Sequence, residues 1–193
     1  MIRIRTIALL ALTCLPLAAV AEDSVPAGPD LTELIQRFAK RTGKKFVVDP
    51  RVRGIPAVAG IDPDRLTYTQ LLSILNVNMF ATVEQGDLVL VVPDANARQL
   101  PTPVYTDANF KALDDEIVTL LLTPKNACAI HMVPVLRPLM PQAAHMAAAM
   151  QSNTLIIADR AVNVRRVAQI IERLDRAAPA GAGCDDFVVK RKE

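Results

Sequence analysis

The chain's histidines and cysteines are few enough to weigh one by one: His131 and His145, with Cys14, Cys128 and Cys184. Cys128 and His131 lie three residues apart and would offer a metal two ligands. A structural zinc site takes four at suitable spacing. A second close pair is missing, and Cys184 and His145 would complete a set only by meeting in the fold, so no metal site is expected. Asp114-Asp115-Glu116 and Asp185-Asp186 are the acidic runs. Paired carboxylates serve general acid–base chemistry, but both runs fall at element edges, where solvated charge is the usual role. The sequence has no G-x-S-x-G, no glycine-rich phosphate loop and no H-E-x-x-H. It points away from an enzyme; no catalytic residue and no cofactor is assigned.

The basic residues that stand out are Arg51, Arg53, Arg160, Arg165 and Arg166, read mainly as solvated surface and otherwise as a contact surface for acidic partners. The first residues, MIRIRTIALLALTCLPLAAVAED, have Arg3 and Arg5 ahead of an apolar run and a small-x-small end at Ala19 and Ala21. That is a secretory signal peptide over 1–21. The 22 Lys and Arg residues fall to 20 once Arg3 and Arg5 leave, against 20 Asp and Glu. A near-neutral chain carries no electrostatic footprint for nucleic acid. The expected location is the periplasm, with no membrane-spanning segment after cleavage. Cys128 and Cys184 then remain, and whether they form a bridge is left open, because pairing depends on loop geometry.

The elements that position these residues fall into two groups. In the first, 30–93, Asp30 and Glu33 open a helix whose apolar stripe is Leu31, Leu34, Ile35 and Phe38, closed by Gly43. Phe46-Val47-Val48 is a strand, Ala57–Ile61 a second one limited by Pro56, and Thr67 with Gln70 caps a second helix. A hairpin spans Met79–Val92 around Gln85-Gly86-Asp87. Residues 94–114 read as a linker with a short strand near Val104-Tyr105. In the second group, 115–176, a strand over Glu116–Thr123 precedes a helix over Ala127–Leu139 with Asn126 as its cap. Pro134 requires that helix either to kink or to begin just before it. Strands at His145–Met150 and Thr154–Ala158 follow, then a helix capped by Asp159. Residues 177–193 form a tail.

The fold class is therefore α+β: two small domains, each a small mixed sheet packed with two helices. The second has the order β-α-β-β-α, which is KH-like, but it lacks the GXXG clamp that RNA binding by that module needs.

Longer motifs carry a resemblance. Lys45-Phe46-Val47-Val48-Asp49-Pro50-Arg51-Val52-Arg53-Gly54, the Glu116–Asn126 stretch, Leu136-Arg137-Pro138-Leu139, and above all Ser152–Asp175 resemble the periplasmic N-terminal domains of bacterial secretins. Secretins are the ring-forming outer-membrane channels, and the type II secretion members are the most similar in pattern. The usual strand before the first helix, a repeat of the second domain and the barrel domain find no counterpart in the sequence. The resemblance implies a protein–protein interaction module of a type II-like secretion apparatus, accessory or scaffold to a secretin channel. Its partners would be inner-membrane secretion components, a secretin or further copies of itself, and exported substrate. Alternatives are a signalling module like that of TonB-dependent receptors and a free periplasmic client-binding protein. Open sheet edges offer unpaired N–H and C=O groups, so the candidate partner-binding edges are Phe46, Val48, Arg51, Arg53, Val83, Val89 and Val91.

Overall fold

The computed structural model describes residues 28–179 and Cys184. The leader with Ala19 and Ala21, the Asp185-Asp186 pair and most of the tail lie outside the described residues.

Helix α1 (Leu31–Thr42) begins where Asp30 accepts a 2.7 Å bond from the Glu33 N–H, and it stops at Gly43. There φ is +74°, a conformation glycine adopts without a Cβ penalty. Leu31, Leu34, Ile35 and Phe38 are buried along one face. Strand β1 (Lys45–Val48) follows. Helix α2 (Tyr68–Val77) is opened by a complete capping box between Thr67 and Gln70. Strands β2 (Phe80–Gln85) and β3 (Leu88–Pro93) form the hairpin, turning at Gly86 with φ +62°. The sheet order is β1-β3-β2, with β1 parallel and β2 antiparallel to β3. Both helices lie on one face, burying Leu31, Ile35, Leu66, Leu71, Leu75 and Val91 in one core. Each such side chain contributes about 1.5–3 kcal/mol of burial before entropy is charged.

The strand expected over Ala57–Ile61 does not form. A strand needs a neighbour to bond, and no described segment pairs with this one. Val58 and Ile61 still pack partly against the core.

Residues 94–114 are more than a linker. Helix α3 (Asp94–Ala97) continues directly from β3, and strand β4 (Val104–Tyr105) joins the second sheet parallel to β5 (Ile117–Leu122). Tyr105 stacks on Phe110 at 4.6 Å, and Phe110 belongs to the second core. Helix α4 (Ala129–Leu136) tightens into a 3-10 turn over Arg137–Leu139. It begins well ahead of Pro134, which faces solvent on a helix of only eight residues. Strands β6 (His145–Ala149) and β7 (Thr154–Arg160) and helix α5 (Ala161–Ala177) complete the domain. The second sheet runs β4-β5-β7-β6, so β-α-β-β-α is observed with one added edge strand. Val118, Leu120, Leu136, Leu155, Ile157 and Ile171 are fully buried at its centre. The two cores remain separate, joined by a small cluster of Ala81, Val83, Ala97 and Ile117.

Candidate interaction surfaces

Among the described residues strand β1 is an edge, and its ladder phase decides which backbone groups face away from the sheet. The Asp49 N–H donates to the Val91 carbonyl at 2.9 Å, continuing the β1–β3 ladder. Backbone groups in a strand alternate sides residue by residue. Val47 therefore shares the inward phase of Asp49, while the N–H and C=O of Phe46 and Val48 point to the open side. Their side chains turn toward the helices, and Phe46 meets Phe38 edge-to-face at 6.0 Å. Val47 lies on the opposite sheet face and is 50% exposed.

Arg51 and Arg53 hold the turn after β1. Arg51 grips Asp49 through Nε at 2.9 Å and Nη2 at 2.8 Å, and this bonding lowers the Asp49 carboxyl to a pKa of about 2. Arg53 Nε donates to the Pro50 carbonyl at 3.0 Å. Both guanidinium groups remain on the exposed surface. Beside them, Lys45 pairs with Asp87 at 2.6 Å, and Lys44 pairs with Glu84 at 3.2 Å while resting over the Tyr68 ring. Burial pushes the Tyr68 hydroxyl up to about 12.

Three of the expected edge residues are not at an accessible edge. Val89 and Val91 lie on β3, which the parallel addition of β1 makes the central strand, and they are 4% and 0% exposed. Val83 is on edge strand β2, but its side chain is 3% exposed because it packs with Ala97 and Ile117. On the helical side, the unpaired 55–61 segment borders an apolar cleft of about 580 Å³ lined by Leu34, Ile55, Val58, Ile61, Leu66 and Ile74.

The Ser152–Asp175 run supplies buttresses that spacing alone did not assign. Asn153, at φ +47°, accepts the Ala129 N–H at 2.8 Å and donates to the carbonyls of Pro124 and Ala127. It does the capping expected of Asn126. Asn126 instead joins Lys125 and Ala127 in donating backbone N–H bonds of 2.7–2.9 Å to Asp175. Burial pushes the Asp175 carboxyl up, and these bonds outweigh it, leaving the pKa lowered. Asp159 does not cap α5. It is buried, Oδ2 has no hydrogen-bond partner among the described residues, and burial raises its pKa. The first N–H groups of α5 go to the carbonyls of Glu116 and Asp114.

Arg160 and Arg165 are not loose surface charges. Arg165 pairs with Asp114 and lies over Phe110. Arg160 is almost fully buried between the domains. Cys128 is bonded to Cys184 with their Cα atoms 5.2 Å apart, which removes it from any ligand pair with His131. Among the described residues no helix is long and apolar enough to cross a membrane.

Two family models match. Residues 27–91 match the GspD-like N0 domain, and residues 119–180 match the bacterial type II/III secretion system short domain. The chain is 34% identical over 150 residues to secretin XcpQ of Pseudomonas aeruginosa, covering 76% of this chain and 22% of XcpQ. It is 32% identical over 167 residues to secretin PulD of Klebsiella pneumoniae, covering 84% and 25%. Among solved structures it is similar to a chain of the Klebsiella pneumoniae type II secretion system outer membrane complex of PulD, PulS and the PulC HR domain. There the TM-score is 0.67 at 30% identity, over 78% of this chain and 26% of that one. The chain thus spans about a quarter of the length of these relatives. It is homologous to the N-terminal region of the type II secretins, an N0 domain followed by a short secretin domain.

Proposed function

We propose that this protein is a periplasmic protein–protein interaction module of a type II-like secretion apparatus, accessory or scaffold to a secretin channel, and that a partner adds an extended segment to the β1 edge. The observation that carries this reading is the outward phase of the Phe46 and Val48 backbone groups on an open edge. Strand addition uses such groups for affinity and neighbouring side chains for specificity. The likeness to PulD in an assembly with PulS and the PulC HR domain supports an HR-type domain as the partner class. The named relatives are secretins, which favours this reading over TonB-receptor-like signalling and over free client binding. Docking, not catalysis, is the role assigned to the site.

The test is a crosslinking pull-down from intact cells carrying a type II system, comparing the wild type with Val48→Pro. The wild type should capture an HR-domain protein or a secretin, and the variant should lose it while remaining folded. Equal capture by a folded variant contradicts strand addition at β1.

A further inference from the structure

Asp159-Arg160 sits inside the longest secretin-like run, and docking at β1 leaves Arg160 without a role. Its side chain is 5% exposed. Nη2 lies 3.0 Å from Asp94 Oδ1, and Nη1 lies 3.1 Å from Asp94 Oδ2, a two-pronged grip of the kind guanidinium makes on carboxylate. Nη2 also donates to the Phe80 carbonyl at 3.3 Å. Asp94 directly follows β3, so the end of the second domain's central hairpin reaches the end of the first sheet. A reciprocal contact runs the other way. Asp115, just before β5, accepts 2.7 Å bonds from Ser73 and Asn76 of α2, and its Oδ1 lies 3.9 Å from Arg160 Nε. Two carboxylates of opposite origin therefore flank one arginine.

The apolar part of the junction is small: Ala81, Val83, Ala97 and Ile117 are buried, two of them alanines, with Val92 and Leu100 packed partly against them. Interfaces between domains of one chain permit relative motion unless they are large and hydrophobic. Here polar contacts add to the junction: the charged grip, the Asp115 bonds, and Arg98 Nη1 donating to the carbonyls of Ala143 and Ala144 at 3.0 and 3.2 Å. Arg160 also takes one group of a sheet edge. The Asp94 N–H donates to the Met79 carbonyl at 2.9 Å, which sets the β2–β3 phase and turns the Phe80 backbone outward. The carbonyl so exposed is the one Arg160 takes.

We propose that Arg160 is an interdomain clasp: it holds the second domain on the first as one rigid body and takes the Phe80 carbonyl at the end of the β2 edge. This rests on the docking reading only in assigning β1 as the edge left for a partner. The geometry itself needs no partner, so the two claims fail separately.

The test is small-angle X-ray scattering and calorimetric unfolding of the exported full chain, as wild type, Arg160→Ala and Asp94→Asn. The wild type should unfold in a single cooperative transition with a compact profile. Arg160→Ala should enlarge the radius of gyration and split the transition in two, because the domains then unfold separately. If Arg160→Ala does not fold, Asp94→Asn decides, since it keeps the shape of the site and removes the charge; it should enlarge the radius of gyration. Two transitions in the wild type, or an unchanged profile and a single transition in the folded variants, would overturn the clasp.

Discussion

Arg160 and Asp94 meet as a buried ion pair at 3.0 Å although 66 residues separate them in sequence. The pair stands between two otherwise independent cores, so its loss has consequences for the whole chain. Removing one partner of a buried pair leaves an uncompensated charge and costs about 3–5 kcal/mol. Asp94→Ala should therefore lower stability by about that amount in denaturant unfolding. The double variant Asp94→Ala with Arg160→Met, which leaves no buried charge in the pair, should recover much of the loss. No recovery would mean that the arginine stabilises through contacts other than the pair.

Asp175 holds three backbone N–H groups of the loop before α4. Asp175→Ala orphans them, and unsatisfied buried groups cost about 1–3 kcal/mol each when water does not replace the partner. A loss of about 2–3 kcal/mol is expected on that basis, since the loop is only partly buried. Asp175→Asn should cost less, because its amide oxygen still accepts.

The pH dependence follows from opposite shifts. Asp49 and Asp175 have lowered folded pKa values. Such groups stabilise the fold above the unfolded aspartate value of about 3.9 and lose that contribution as pH falls through the folded value. For Asp49 the loss runs down to a pKa of about 2. Asp159 is raised by burial, so its contribution is present below the unfolded value and is lost as pH rises through the folded one. Asp159→Asn should thus raise the thermal midpoint at pH 7 relative to wild type and leave it nearly unchanged at pH 3. A lower midpoint at pH 7 would contradict the sign.

Asn153 combines a left-handed backbone with a cap on α4. Asn153→Ala should cost about 1–2 kcal/mol for the lost cap and a further 1 kcal/mol or so for the strained φ. Asn153→Gly loses the same bonds without the strain and should be the milder change. Equal effects would mean that φ at this position carries no cost.

What was legible in the sequence was local. The caps at Asp30 and Thr67, the stripe of α1, the Gly86 hairpin and the alternation of apolar strands all depend on neighbours a few residues away, and the structure contains each of them. The strand at Phe46–Val48 was legible for the same reason, since a short strand after a glycine stop is a local pattern, whereas its outward phase comes from pairing with β3. Strand order is not local. Val89 and Val91 read as hairpin-edge residues until β1 pairs parallel to β3 and covers them. The burial of Arg160 was hidden because an arginine after an aspartate looks solvated until Asp94 arrives from the other domain. Likewise Asn126 looked like the cap of its own helix, while Asn153 reaches that helix from a distant turn. Pairing of Cys128 with Cys184 had to wait for their Cα separation.

That bond closes a span of 56 residues. Loop-closure entropy for such a span corresponds to about 4 kcal/mol of stabilisation. Unfolding in the presence of dithiothreitol should shift to lower denaturant by that amount, and Cys128→Ser with Cys184→Ser should be insensitive to reductant. A wild-type curve unmoved by reductant would show that the bridge adds no stability.

The central claim is that the open edge of β1 receives a secretion partner, and Val48→Pro probes it directly. The substitution deletes an N–H that points outward and spares the inward ladder bonds of Val47 and Asp49. Isothermal titration of a PulC-type HR domain into the full chain should give binding to the wild type and at least about tenfold weaker binding to Val48→Pro, a change of about 1.4 kcal/mol. Unaltered affinity of a folded Val48→Pro chain, or no binding to the wild type, would contradict the account.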